Sequence, residues 1–328
     1  MRGRHHRVDH CQFSGQRHSG VTVVVWVDEE PDFHLLDHNL FSDRPRGNEN
    51  GFETIRIGTS DVSLEDSRTT VESNYFEKCN GEIEAISNKS CGNIYRFNTF
   101  VELEGTLTLR HGNRCRVEAN FFLGRGAEAM GGVRVIGEDH VVVNNYFADL
   151  KGTGMSSALC LLNGLKDSAP SGYFAAHRAR VAFNTFVDCA QPLVIGYDKG
   201  GDLTIQPTGV ELENNLVKSG KAPLVTQKVP AANVRYAGNL LFGADLGVSS
   251  TAGLRVEDPA LEKGADGLFR PSARSPAIDA AAPSPLTAPI DLDGRERDGK
   301  ADLGAFESTP GPAHLRLLTP DDVGPSFR

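Results

Sequence analysis

Val117-Glu118-Ala119-Asn120-Phe121-Phe122 is the stretch on which the fold turns, because it recurs. The same short β-rich run with an Asn-x-Phe ending appears at Val71-Glu72-Ser73-Asn74-Tyr75-Phe76 and at Val181-Ala182-Phe183-Asn184-Thr185-Phe186. Val141-Val142-Val143 likewise precedes Asn145-Tyr146-Phe147. Asn39-Leu40-Phe41 and Asn98-Thr99-Phe100 are further copies, and Asn215-Leu216-Val217 and Asn239-Leu240-Leu241 are weaker ones. Successive asparagines lie 35, 24, 22, 25, 39, 31 and 24 residues apart, so the unit is 22 to 25 residues and the long intervals carry inserted loops. A period of this size marks a solenoid.

No stretch keeps apolar residues at 3.6 spacing long enough for a helix, so the unit is built of strands. Coils stacked about 4.8 Å apart pair each strand with its counterparts above and below. The expected fold is all-β, a single-stranded right-handed parallel β-helix over residues 1–307, with the aromatic of each tripeptide pointing inward in a column. Each asparagine is expected at a corner, taking the left-handed backbone of a tight turn and bonding the next asparagine through its amide. Beyond about residue 243 the tripeptide disappears. Ser275 to Asp279, Asp291 to Gly294 and Asp302 to Glu307 read as a loop-rich segment covering the last coil, and residues 308–328 as a mobile tail. The chain starts almost directly in a coil at Val8, so the first coil is expected to expose an edge.

Such a rod grows along one axis, so 328 residues form one domain rather than the usual two. With 39% hydrophobic residues, 35 glycines and 17 prolines the composition is that of a turn-rich protein that folds. A net charge of −9 excludes an overall basic field for nucleic acid, while an acidic glycan needs only a locally basic groove. The apolar run Val21 to Val27 is far below the roughly 20 residues that span a bilayer, which argues against a membrane protein. Residues 1–20 lack the apolar core of a secretory signal. The six cysteines are scattered without a CxxC pair and read as small buried hydrophobes rather than a disulfide framework. Oligomeric state is not legible.

Chemistry collects in Asn80 to Cys91 and Leu107 to Gly112. Glu82 and Glu84, two apart on a strand, face the same side, while Ile83 and Ala85 are expected to face the core. In the solenoid register Asn50, Glu82, Glu84, Lys89, Arg110 and Arg134 fall within a similar part of the turn on four consecutive coils, which gathers them on one wall. An amide oxygen with two carboxylates is hard-oxygen ligation suited to Ca²⁺, and zinc is disfavoured without clustered His or Cys. The competing reading is a surface charge network of Glu82 and Glu84 with Lys89 and Arg110.

The motifs Asn48 to Gly58, Gly81 to Cys91, Leu107 to Gly112 and Gly131 to Gly137 closely resemble polysaccharide lyase family 6, which contains alginate lyases and chondroitinase B. The resemblance runs from about residue 8 to 307 and is strongest over 38–148. It implies Asn50, Glu82 and Glu84 as calcium ligands, Lys89 as general base and Arg110 as its catalytic partner. It implies Arg134 and His111 as substrate contacts, with His140 and Glu53 as further candidates. Family members carry additional coils and an export signal ahead of the position matching Val8, so the chain reads as a shortened product or a short member, and the resemblance implies a secreted or periplasmic location. The activity implied is Ca²⁺-assisted β-elimination on an anionic polysaccharide, alginate ahead of dermatan sulfate, leaving 4,5-unsaturated uronate ends. A non-catalytic β-helix that only binds glycan is the rival from another class. A hydrolase is disfavoured because it would want two carboxylic acids flanking the bond.

Overall fold

Three parallel sheets carry nearly all of the strand pairing, and in each the strands follow one another in chain order. The computed structural model describes residues 1–221, 223–249, 252–286, 288–308 and 313–325. The first sheet runs from Arg7–Asp9 to Val234–Ala237, the second from Gln12–Ser14 to Leu254–Val256 and the third from Val23–Val25 to Val225–Gln227. Each turn of chain gives one strand to each sheet, which is the right-handed parallel β-helix expected from the repeat. Helix among the described residues is limited to 3-10 turns.

The repeated tripeptide builds the interior. Phe13, Phe41, Phe76, Phe100, Phe122, Phe147 and Phe186 stack with centroids 4.6 to 5.0 Å apart and planes within 12° of parallel. That spacing is the strand-to-strand repeat, so one ring per coil fills the core without a gap. Beside it runs an asparagine ladder. Asn120 accepts at Oδ1 from the backbone N–H and the amide of Asn98, both at 3.0 Å, and donates its own two to Asn145 Oδ1 at 2.9 Å. The same double link joins Asn39 to Asn74, Asn74 to Asn98, Asn145 to Asn184, Asn184 to Asn215 and Asn215 to Asn239.

The left-handed backbone falls one residue earlier than the sequence suggests. Ser73, Phe97, Ala119, Asn144, Phe183 and Asn214, each just before a ladder asparagine, have φ between 53° and 62°. Such a residue costs about 1–2 kcal/mol when it is not glycine. The turn it makes swings the following asparagine inward, where its bonds offset that strain.

The segment after the last coil does not simply cap the end. Leu268, Leu292, Ala305, Phe306 and Val323 pack on Leu40, Tyr75, Val101, Phe121, Tyr146 and Val187, the outward side of the second sheet. Residues 313–325 continue this path, and Gly324 N–H donates to His38 O at 2.7 Å, so this part of the tail expected over 308–328 packs on the rod, while 309–312 and 326–328 lie outside the described residues. The cause is the apolar outer face of that sheet, which would otherwise stand in water. The end of the third sheet is closed instead by residues 244–248, whose carbonyls at Asp245 and Leu246 accept from Leu224 and Val225. All six cysteines are free thiols, and five of them are buried.

Candidate active site

The third sheet forms the wall on which the chemistry sits. Its strands Ile55–Gly58, Glu84–Lys89, Gly105–His111 and Met130–Val135 pair in sequence, with Ile55, Ile86, Leu107 and Val133 in one inward column. Arg56, Ser87, Thr108 and Arg134 form the adjacent outward column. Lys89 ends its strand in register with Gly58 below and His111 above.

Two irregularities aim the wall. Asn88 pairs with Leu109 and Lys89 with His111, so Arg110 is the extra residue of a bulge. Bulges re-aim side chains, and this one turns Arg110 into the cleft beside Lys89. A second shift lies where Glu84 pairs with Thr106 and Ile86 with Leu107, leaving Ala85 unopposed. Under Lys89 the buried amide of Asn88 donates to His111 O at 2.7 Å and accepts from Tyr95 OH and Asn93 Nδ2, both at 2.7 Å. This satisfied polar plug fixes the strand end that carries Lys89.

Lys89, Arg110, His111, Glu82, Glu84, Glu53, Asn50 and Arg134 line one cleft of ≈ 570 Å³, together with Arg56, Ser60, Met155, Tyr173 and Lys199. Within it the carboxylates divide into two environments. Glu84 is held among cations, 3.4 Å from Arg134 Nη1 and 3.8 Å from Arg110 Nε, and accepts from Ser87 Oγ at 2.6 Å. Glu82 is pushed up to about 8 by burial and then by Glu53, whose charge and hydrogen bond outweigh the charge of Glu84. The like-charge pair is therefore Glu82 with Glu53, rather than Glu82 with Glu84 as the i, i+2 spacing suggests. Glu53 is 4% exposed and its Oε2 is buried without a hydrogen-bond partner. Two crowded carboxylates, one orphaned oxygen and the nearby Asn50 amide make a donor set that suits a hard cation. Among the described residues no three His, Cys, Asp or Glu side chains form a closed cage, so an ion here would need oxygens from water or a ligand.

The cationic side is also specific. Arg110 Nη1 donates to Gly172 O at 2.7 Å, and its guanidinium lies 4.2 Å from the Tyr173 ring centroid. Lys89 has no carboxylate within ion-pair distance among the described residues. His111 is held down to about 3 by burial, Arg110 and Lys89, so its ring is neutral, with Nε2 3.3 Å from Ser60 Oγ.

The model of the family described as Chondroitinase B matches residues 1–281. The structure of a PL6 family alginate lyase, AlyGC, is 33% identical over 99% of this chain, with a TM-score of 0.84. The chain belongs to polysaccharide lyase family 6. A mannuronic acid specific family 6 lyase from human gut microbiota is 31% identical, covering 78% of this chain and 60% of its own at a TM-score of 0.68. Alginate lyase AlyF-OU02, solved with G6, shares the fold at 22% identity and a TM-score of 0.75, covering 95% of this chain and 70% of its own. The chain spans 41% of the AlyGC chain. No curated protein matches.

Against this family 6 background, most residues singled out in the sequence meet in the cleft, with two exceptions in detail. Arg134 lies in the wall with its side chain only 2% exposed, gripping Glu84 and donating to Met155 O at 3.0 Å, so it presents little surface to a ligand. His140 does not reach the cleft at all. It is fully buried, accepting at Nδ1 from Cys115 N–H at 3.1 Å with Nε2 3.1 Å from Ile136 O. Ile83, expected inward, is 44% exposed and lines the cleft instead, while Ala85 is buried. Ser60, Tyr173 and Lys199 were not legible, because they come from loops that a count along the repeat does not place. Arg56 was within reach, as a lone outward cation in Ile55-Arg56-Ile57 on the matching strand.

His140 carries a stability prediction. Burial holds it down to about 4, below its ordinary 6.5. A depressed histidine stabilises the fold above its unfolded value and loses that contribution as pH falls from about 6.5 towards 4, here up to about 3 kcal/mol. The urea midpoint is expected to fall over that window. A His140→Asn variant should show a flatter pH slope, and an unchanged slope would remove the assignment.

Proposed function

We propose that this protein is a polysaccharide lyase that cleaves a uronate-containing polymer, alginate foremost, by β-elimination. The observation that carries the reading is the convergence of Lys89, without a described counter-ion, the bulged Arg110 and the Glu53–Glu82 acid pair in one cleft. The names of AlyGC as an alginate lyase and of the gut enzyme as mannuronic acid specific favour alginate over dermatan sulfate.

In this reading Lys89 Nζ takes the C5 proton of a uronate. The C5–H electron pair becomes the C4=C5 double bond as the C4–O4 bond breaks, and O4 leaves with a proton from solvent or a cleft donor. Arg110 steadies the charge that builds on the sugar carboxylate, its guanidinium oriented by Glu84, the Gly172 carbonyl and the Tyr173 ring. Arg134 keeps Glu84 in place. His111, held neutral and 1% exposed, meets Arg110 Nη1 at its Nδ1 at 3.3 Å and so helps to set that guanidinium. Asn50, Glu82 and Glu53, with Glu84 in the same cleft, would hold Ca²⁺, which when bound would neutralise the substrate carboxylate as a Lewis acid.

The test is to incubate the protein with alginate and with dermatan sulfate in calcium and follow ultraviolet absorbance of unsaturated ends. Absorbance gain with alginate is expected; binding of either polymer without any absorbance gain would favour the non-catalytic alternative and sink the lyase reading. Chelation should suppress turnover and calcium restore it. Calcium at a hundredfold its Kd should also add about 2.7 kcal/mol of unfolding free energy. A chelated protein of full activity and unchanged melting would refute the ligand set.

A further inference from the structure

We infer that Lys199 is a second carboxylate-binding residue of the cleft, which recognises the uronate adjacent to the one that loses its proton. This rests on the lyase reading and extends it to a residue on a distant loop. The chain between Leu159–Leu162 and Arg180–Ala182 leaves the wall and folds over it, Leu165 N–H donating to Tyr173 O at 2.8 Å. Tyr173 and Phe174 seat it on the apolar patch of Cys160, Leu162 and Val194. A second excursion, after the strand Leu193–Tyr197, joins it through paired bonds between Gly164 and Ile205 at 2.7 and 2.9 Å. Together they make the Tyr173 ring a shared platform, with the Arg110 guanidinium 4.2 Å and Lys199 Nζ 5.1 Å from its centroid.

Charge balance sets Lys199 apart from the other lysine of this region. Its neighbour Lys228 has a counter-ion, Asp198 at 3.2 Å, and that aspartate also caps Gly200 N–H at 3.3 Å. Lys199 has no carboxylate partner among the described residues and lines the cleft. A polyuronate brings one carboxylate per sugar, so a chain seated with one sugar at Lys89 and Arg110 carries its next negative charge along the cleft. An unpaired ammonium on the same aromatic ring as Arg110 is the complementary group.

The experiment uses the Lys89→Ala protein, which keeps the cleft but lacks the base, titrated calorimetrically in calcium with an alginate hexasaccharide and with its fully methyl-esterified form. Adding Lys199→Ala is expected to weaken Kd for the acid form by about tenfold, the effect of losing one charge-assisted contact. Lys199→Arg should recover most of it, and the difference should vanish with the ester. In the active protein Lys199→Ala should raise KM far more than it lowers kcat. Equal Kd for both proteins overturns the assignment alone, as does a loss of equal size with the ester, which would mean a packing role. No binding of the acid form by the Lys89→Ala parent overturns this inference and the lyase reading together.

Discussion

Lys89→Ala is expected to abolish detectable formation of unsaturated uronate ends, lowering kcat by about 10²–10⁴-fold, the range for removing a positioned general base. Three features make the effect specific to chemistry. Lys89 has no described ion pair to lose, its strand end is held by the Asn88–Tyr95 plug rather than by its own side chain, and its Cα partners Gly58 and His111 pair through backbone. Melting temperature and far-ultraviolet dichroism should therefore match the parent protein. Lys89→Arg keeps a cation in place but cannot supply a neutral nitrogen, so it should be nearly as inactive. Turnover by either variant within a few fold of the parent would remove Lys89 as the base.

Asn120→Ala should be the most damaging single change to the fold outside the aromatic column. It strips the acceptor from both the backbone N–H and the amide of Asn98, and the donor from Tyr95 O and Glu118 O at 2.9 and 3.0 Å. Each buried polar group left unsatisfied costs about 1–3 kcal/mol, so a loss of about 3 kcal/mol or more is expected. It also leaves Ala119 in its left-handed turn with less to hold it there. The urea midpoint is the readout, with Asn120→Asp as a partner that keeps the acceptor but not the donor. A midpoint shift no larger than that of an exposed polar exchange would mean that the ladder contributes little.

The repeat made the architecture legible because a solenoid writes one physical demand, an inward ring and an inward amide, into every coil. What it could not show is register at single-residue precision. Lys89 lies 15 residues after Asn74 and Arg110 only 12 after Asn98, yet the two meet because the chain carries two extra residues between Glu77 and Glu84 relative to Val101 and Thr106, skips Ala85 and bulges at Arg110. Spacing on one strand likewise suggested Glu84 as the neighbour that perturbs Glu82, whereas Glu53 on the preceding coil matters more. His140 sits in a sequence context that looks functional, and only its bonds to Cys115 and Ile136 reveal a core role. Loops escape periodic reasoning altogether, which is why Tyr173 and Lys199 stayed hidden.

The return of the carboxy-terminal segment to His38 changes how the rod comes apart. A bare stack of rungs unzips from whichever tip is weaker, one rung at a time, since each touches only its neighbours. Here the described segments that carry Leu268, Leu292, Phe306 and Val323 lie across rungs from Leu40 to Val187, so peeling any one of those rungs also disturbs this outer layer. Fraying is thereby converted into a shared event, and the rungs that present the cleft inherit the rigidity of the whole length.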